Sequence, residues 1–381
     1  MSRRILHAAA VGPIVWCAVA CDASGGGAPD RVPGGGQPEA GVADAGADRL
    51  SLLDVFSGEP GLDPDAACVA EALEAERMPV DIVFVVDTSG SMSDEIAQVQ
   101  ANINAFSAAI AQSGLDYRVV MIGQKGTTGI TVCVPPPLGG PNCSNEPPTF
   151  YHVNQVVAST DALSLILSTF NSSDPAISWN KFTRFDSHKV LIVVTDDNSA
   201  LPHQSFDSQL LAKTPSGVFG TTAHRRYTFH SICGWDDGTP FLTGPKCSTA
   251  YNIGIEYQKL STLTGGIIDS VCKLDYSGVL QNLAQGITTK LSCELAVPQM
   301  GGGPVDPSMV AVRFTPPGEE PRLLEQLTDG SKCKAGSESW YYDDPAQPTR
   351  IVLCAETCSA INAGAGGRLE ILAGCPTPPP T

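Results

Sequence analysis

The stretch from Val80 to Met92 constrains the fold more than any other: Val80-Asp81-Ile82-Val83-Phe84-Val85-Val86-Asp87-Thr88-Ser89-Gly90-Ser91-Met92. Five β-favouring apolar residues, Ile82 to Val86, run straight into the carboxylate of Asp87. An unbroken run of this kind reads as a strand buried on both faces, which a parallel sheet covered by helices requires. Asp87, Ser89 and Ser91 then leave its carboxyl end in a Gly-containing turn. Alternate residues of an extended turn point the same way, so three oxygen donors converge on one point. A hard cation such as Mg²⁺ takes that kind of shell, with one or two carboxylates and several neutral oxygens. The carboxyl ends of central parallel strands are also where open α/β sheets place their ligands.

A second stretch, Val190-Leu191-Ile192-Val193-Val194-Thr195-Asp196-Asp197, repeats the pattern of an apolar run ending in carboxylates. Asp87-Thr88-Ser89-Gly90-Ser91 resembles the metal-ion-dependent adhesion site of von Willebrand factor type A (vWA) domains, whose pattern is Asp-x-Ser-x-Ser. Thr195-Asp196 is similar to the end of that family's fourth strand, whose Asp joins the metal shell. The resemblance covers roughly residues 67–292 and implies an α/β fold with a doubly wound, mostly parallel sheet. It also implies that Asp87, Ser89, Ser91 and Asp196 hold a divalent cation, Mg²⁺ first, with Mn²⁺ or Ca²⁺ as alternatives. A Glu or Asp carboxylate from a protein partner would complete the shell. The chain departs from the family pattern in two places. Asp197 stands where Gly is usual, and the Thr ligand has no clean counterpart. We expect Thr183 in that role, with Ser172 or Ser173 as alternatives in the irregular stretch 171–186.

The N-terminus speaks to compartment. Arg3 and Arg4 precede a short apolar run from Ile5 to Ala20, which has the length and polarity of a secretory signal rather than a membrane span. It ends in Ala18-Val19-Ala20-Cys21, which resembles a bacterial lipobox and makes Cys21 the expected lipidation site; ordinary cleavage nearby is the alternative. Residues 22–66 are rich in Gly, Pro, Ala and Asp, a composition that cannot build a core and is expected to be a disordered tether. About 45 residues of such coil reach on the order of 35–40 Å. The expected location is the bacterial cell envelope, lipid-anchored at the outer membrane, cell surface or periplasm, or otherwise secreted. Thirteen cysteines in 381 residues argue against a reducing cytosol. A net charge of −17 argues against nucleic acid as a partner.

Along the folded part, 66–78 reads as a lead-in helix. Ile96, Val99, Ile103, Phe106 and Ile110 recur at spacings of three and four, predicting an amphipathic helix that ends at Gly114. Strands are expected at 115–123, 150–158, 188–195, 227–234 and 266–273, with helices at 160–170, 251–264 and 277–291. This alternation again predicts a doubly wound α/β sheet. Residues 293–376 read as a small disulfide-rich β module with strands at 309–314, 339–342, 350–354 and 368–372, followed by a disordered tail at 377–381. Without Cys17 and Cys21, eleven cysteines remain, so at least one has no intramolecular partner. Cys133 is expected to pair with Cys143 in a Pro-rich loop, and Cys247 with Cys272 on the metal face. Cys68 and Cys293 are expected to lie close. Cys333, Cys354, Cys358 and Cys375 are expected to make two bridges within the module, and Cys233 is the expected odd thiol.

No catalytic residue is assigned. The chain has no His-Glu-x-x-His, no phosphate-cradling Gly-Lys-Ser/Thr loop and no Gly-x-Ser-x-Gly, and its six histidines show no ligand spacing. Cys354 and Cys358 lack the further Cys or His pair that a zinc site needs. The expected function is therefore binding: a lipid-anchored envelope protein that captures a carboxylate-bearing protein through a divalent cation. The alternative is a structural or assembly component whose metal site is vestigial and whose β module makes the contacts.

Overall fold

Seven consecutive buried residues form the centre of the molecule, Val80–Val86. The computed structural model describes residues 71–273, 275–291, 293–300, 303–363 and 368–374. The expectations for residues 1–66, Cys21, Cys68, Cys375 and the tail 377–381 lie outside those residues. After a short first strand, β1 (Glu71–Glu74), the chain lays down β2 (Val80–Val86), β3 (Tyr117–Gly123), β4 (Phe150–Asn154), β5 (His188–Val194), β6 (Tyr227–Cys233) and β7 (Ile268–Ser270). The last six form one all-parallel sheet in the order β4-β3-β2-β5-β6-β7. The chain winds outward in one direction from β2 and in the other from β5, so the order reverses between those two strands.

Helices cover both faces, which is why β2, β5 and β6 are buried along their whole length and β2 and β5 are mostly apolar. Ile82, Phe84 and Val86 meet Ile96, Val99, Ile103 and Phe106 of α1 (Ser93–Gln112), and Leu280, Leu283 and Ile287 from farther along the chain. Val83 and Val85 point the opposite way, as strand period demands. They meet Leu163 and Ile166 of α2 (Ala162–Phe170), Phe206 and Leu210 of α3 (His203–Leu211), and Tyr257 and Leu260 of α4 (Ile255–Thr264). Each such fully buried Val, Ile or Phe contributes about 1.5–3 kcal/mol relative to exposure. Gly265 ends α4 with φ +66°, a conformation that glycine enters without the Cβ penalty. Helix α5 (Ser277–Leu291), which carries Leu280 to Ile287, closes the sheet's first face. The expected helices at 93–114, 160–170, 251–264 and 277–291 are all present, whereas α3 had no expectation.

The chain then enters a second region: β8 (Glu294–Ala296), β9 (Gln299–Met300), β10 (Gly303–Pro304), β11 (Val310–Thr315), β12 (Arg322–Leu323), β13 (Glu325–Leu327), β14 (Ser339–Tyr342), β15 (Arg350–Leu353), α6 (Ala355–Ala363) and β16 (Arg368–Ala373). Two four-stranded sheets, β1-β16-β11-β12 and β13-β14-β15-β8, share a core that includes Val312, Phe314, Trp340, Ile351 and Ile371. Here the lead-in helix is corrected. Residues 71–74 pair antiparallel with β16, placing Leu73 opposite Ile371 and against that core. The helix preference of Glu and Ala is weak beside a completed edge and a buried Leu.

Four disulfides are present among the described residues. Cys133–Cys143 and Cys247–Cys272 form as expected, and Cys333 pairs with Cys354. Cys293 bridges Cys358 rather than Cys68, because it follows α5 directly and α6 brings Cys358 alongside, with Cα atoms 5.3 Å apart. Cys358 is thereby removed from the pairing expected within the module. Cys233 is free and buried, and burial pushes its thiol up to about 12. Such disulfide density fits an oxidising compartment. Among the described residues no helix is long and apolar enough to cross a membrane.

Candidate metal centre

Parallel pairing places Val86 beside Val194, so Asp87 and Thr195 emerge level with each other and Asp196 follows at once. The Asp87 N–H continues the ladder to the Val194 carbonyl at 3.0 Å. The site thus sits at the carboxyl edge of the two strands between which the sheet order reverses, where open α/β sheets form a crevice. Asp87 is 0% exposed and Asp196 1%. Two donors hold Asp87: the Ser89 N–H reaches Oδ1 at 2.8 Å, and the Thr195 hydroxyl reaches Oδ2 at 2.8 Å. Ser91 Oγ donates to Asp196 Oδ1 at 3.1 Å and lies 3.3 Å from Ser89 Oγ. The four expected ligands Asp87, Ser89, Ser91 and Asp196 are therefore brought together. A Cβ added at Gly90 would meet nothing within 4 Å, so the turn above them is open.

The electrostatics are those of crowded anions. Burial raises the Asp87 carboxyl, against hydrogen bonds from Ser89 and Thr195 that lower it. Burial also raises Asp196, opposed by the Ser91 hydroxyl and reinforced by the charges of Asp87 and Asp197. Glu95, in the first turn of α1, is raised by burial and then by Asp196, Asp94 and Asp87. Asp196 Oδ2 and Glu95 Oε2 are buried without a hydrogen-bond partner among the described residues. Orphaned carboxylate oxygens of this kind are costly unless a cation or donor meets them. The donor set is all oxygen, with two carboxylates and two hydroxyls, and it fits Mg²⁺ or a similar hard cation. Among the described residues no group of three or more His, Cys, Asp or Glu side chains is arranged to hold a metal ion. This set reaches four donors only through its serines.

The structure does not bring Thr183 to this point. Its hydroxyl donates to the Asn180 carbonyl at 3.0 Å, and neighbouring Arg184 is clamped to Asp81 near the start of β2. Ser172 accepts from the Asp174 N–H in the same stretch. A seven-residue strand rising about 3.3 Å per residue puts the two ends of β2 roughly 20 Å apart. The third loop at the site is instead the one between β4 and α2. Val157 exchanges hydrogen bonds with Thr88, and the charge of Asp161 bears on Asp87. Ser159-Thr160-Asp161 directly ahead of α2 is a helix-start signature, the signal by which this loop was legible. A fourth segment closes the other side: the N–H groups of Tyr251 and Asn252 donate to the Asp196 carbonyl at 2.8 and 3.0 Å. Val156 and Tyr251, large side chains left exposed, belong to these two segments beside the site.

These features define a class: an α/β protein with an oxygen-lined carboxylate centre at the carboxyl edge of a parallel sheet. No protein-family model matches the chain, and no curated protein matches it.

Proposed function

We propose that this chain is a vWA-type binding protein that captures a carboxylate-bearing protein partner through a divalent cation. The observation that carries the reading is the pairing of two fully buried carboxylates, Asp87 and Asp196, through hydroxyls beneath an open turn, with Asp196 Oδ2 lacking any donor. Asp87, Ser89, Ser91 and Asp196 would hold the cation. When bound, it supplies a Lewis-acidic position for an incoming Glu or Asp carboxylate. Thr195 and the Ser89 N–H orient Asp87 in advance, so little rearrangement is required. Val156 and Tyr251 offer apolar contact around that position. In this reading Cys21 anchors the protein to the bacterial envelope by lipid, and residues 22–66 set its reach.

Calorimetric titration of the full chain with Mg²⁺, Mn²⁺ and Ca²⁺, alongside Asp87→Ala, tests the proposal. Saturable binding by the wild type that the variant loses is expected. A folded wild type that binds none of the three ions would sink it and move attention to the β module as the contact surface.

A further inference from the structure

At the opposite end of the sheet from the carboxylate centre lies a cavity of about 840 Å³. Its walls come from both regions of the molecule. Met78 and Phe185 precede parallel strands, Leu73 and Ile371 belong to paired strands of the β module, and Val297 follows β8. Most of its lining residues are apolar, and one cation stands among them. Arg226, just ahead of β6, lines the cavity yet is only 6% exposed, and its Nε is buried with no acceptor among the described residues. The Phe185 ring flanks the guanidinium, 5.3 Å from its central carbon.

The neighbouring arginines show what Arg226 lacks. Arg184 grips Asp81, Arg225 holds Asp207 through two nitrogens at 2.8 Å each, and Arg350 is paired with both Glu294 and Asp343. Among the described residues Arg226 makes no such pair. Asp186 and Asp343 attract it only at a distance, while Arg350 repels it. A guanidinium does not shed its proton to escape burial, so the remaining remedy is an anion.

We propose that this cavity binds an amphipathic monocarboxylate, its carboxylate forked on Arg226 and its apolar body lying against Leu73, Met78, Val297 and Ile371. Three features select that chemistry. The planar guanidinium fork matches a carboxylate in two parallel hydrogen bonds. The volume lies in the range of small-molecule sites and far exceeds a bare anion. Glu76 and Asp186, both exposed and both lining the cavity, repel a dianionic phosphate more than a singly charged carboxylate. The site does not rest on the cation reading, since it lies a strand length away.

The test is calorimetric titration of the full chain in EDTA, which removes any contribution of the cation centre. Octanoate is the probe; 1-octanol and acetate each supply one half of it, and octyl phosphate supplies the other anion. Octanoate is expected to saturate with at least tenfold higher affinity than the other three. Arg226→Gln should weaken octanoate at least tenfold, leave octanol unchanged and unfold no earlier than wild type. Octanoate failing to bind, or binding no better than octanol, overturns the site using the wild type alone, whatever the variant does. Octyl phosphate binding more tightly than octanoate overturns the choice of carboxylate. Unchanged octanoate affinity in a folded Arg226→Gln overturns the role of that residue.

Discussion

Ser91 Oγ donates to Asp196 Oδ1 at 3.1 Å, joining two turns whose residues lie 105 apart in the chain. The bond gives a buried carboxylate a donor and places a hydroxyl beside it, where the proposed cation would take both. Ser91→Ala should lower Mg²⁺ affinity at least about tenfold. It should also cost the metal-free protein about 1 kcal/mol, the usual worth of one such hydrogen bond. Paired titration and urea unfolding would measure both effects. Wild-type affinity in the variant would remove Ser91 from the centre.

The halves of this centre were legible for a simple reason. The middle of a parallel strand covered on both faces runs apolar, as Ile82–Val86 and Val190–Val194 do, so the first carboxylate after each run marks its end. Thr183 was misplaced because of chain direction. All six strands run the same way, so segments that follow strands arrive at the carboxyl edge and segments that precede them arrive at the other. Residues 171–186 precede β5 and go to the far edge; residues 155–161 follow β4 and reach the site. Glu71–Glu74 failed on another ground, since its pairing partners in β16 lie roughly 300 residues downstream and no local pattern announces them. Cys293 failed because its neighbour depends on α6, a helix with only a weak apolar stripe in sequence.

Arg350 fastens the β module to the parallel sheet. Its guanidinium pairs with Glu294 at 2.6 Å and Asp343 at 3.2 Å, and donates to the Arg225 carbonyl just ahead of β6 at 3.2 Å. All three ionised side chains are buried. Arg350→Met would leave two carboxylates buried without their cation, at a cost of about 3–5 kcal/mol. Mg²⁺ affinity should hold, because the network lies at the far end of β5. A loss below about 1 kcal/mol in urea unfolding would show that this buried network contributes little to stability.

The Cys293–Cys358 bridge closes a longer stretch of chain than the other three, with a sequence separation of 65. Chain-entropy reasoning assigns such a loop about 4 kcal/mol of stabilisation. Cys333–Cys354, with a separation of 21, should contribute about 3 kcal/mol. The double variant Cys293→Ser/Cys358→Ser should therefore unfold at lower urea than Cys333→Ser/Cys354→Ser. The reverse order would mean that native-state packing, rather than loop length, ranks these bridges.

Glu256 ties α4 to the start of α3. Its Oε2 accepts the His203 N–H at 2.7 Å and lies 2.6 Å from the His203 ring, and its Oε1 accepts from Lys259 at 2.9 Å. Burial by itself would raise this carboxyl, but the His203 N–H, Lys259 and the His203 ring outweigh it and hold it down at about 2. In the unfolded chain the group titrates near its ordinary value of 4.5, so as the pH falls the unfolded state takes up the proton first. The stabilisation is complete above pH 4.5 and is lost as the pH falls toward about 2. Glu256→Gln removes the charge at every pH, so it should cost about 1–2 kcal/mol at pH 6. The gap to wild type should then close steadily between pH 4.5 and about 2. Urea unfolding of both proteins at several pH values would measure it, and a gap that stays constant across that window would show that the ion pair contributes nothing and that Gln merely packs worse.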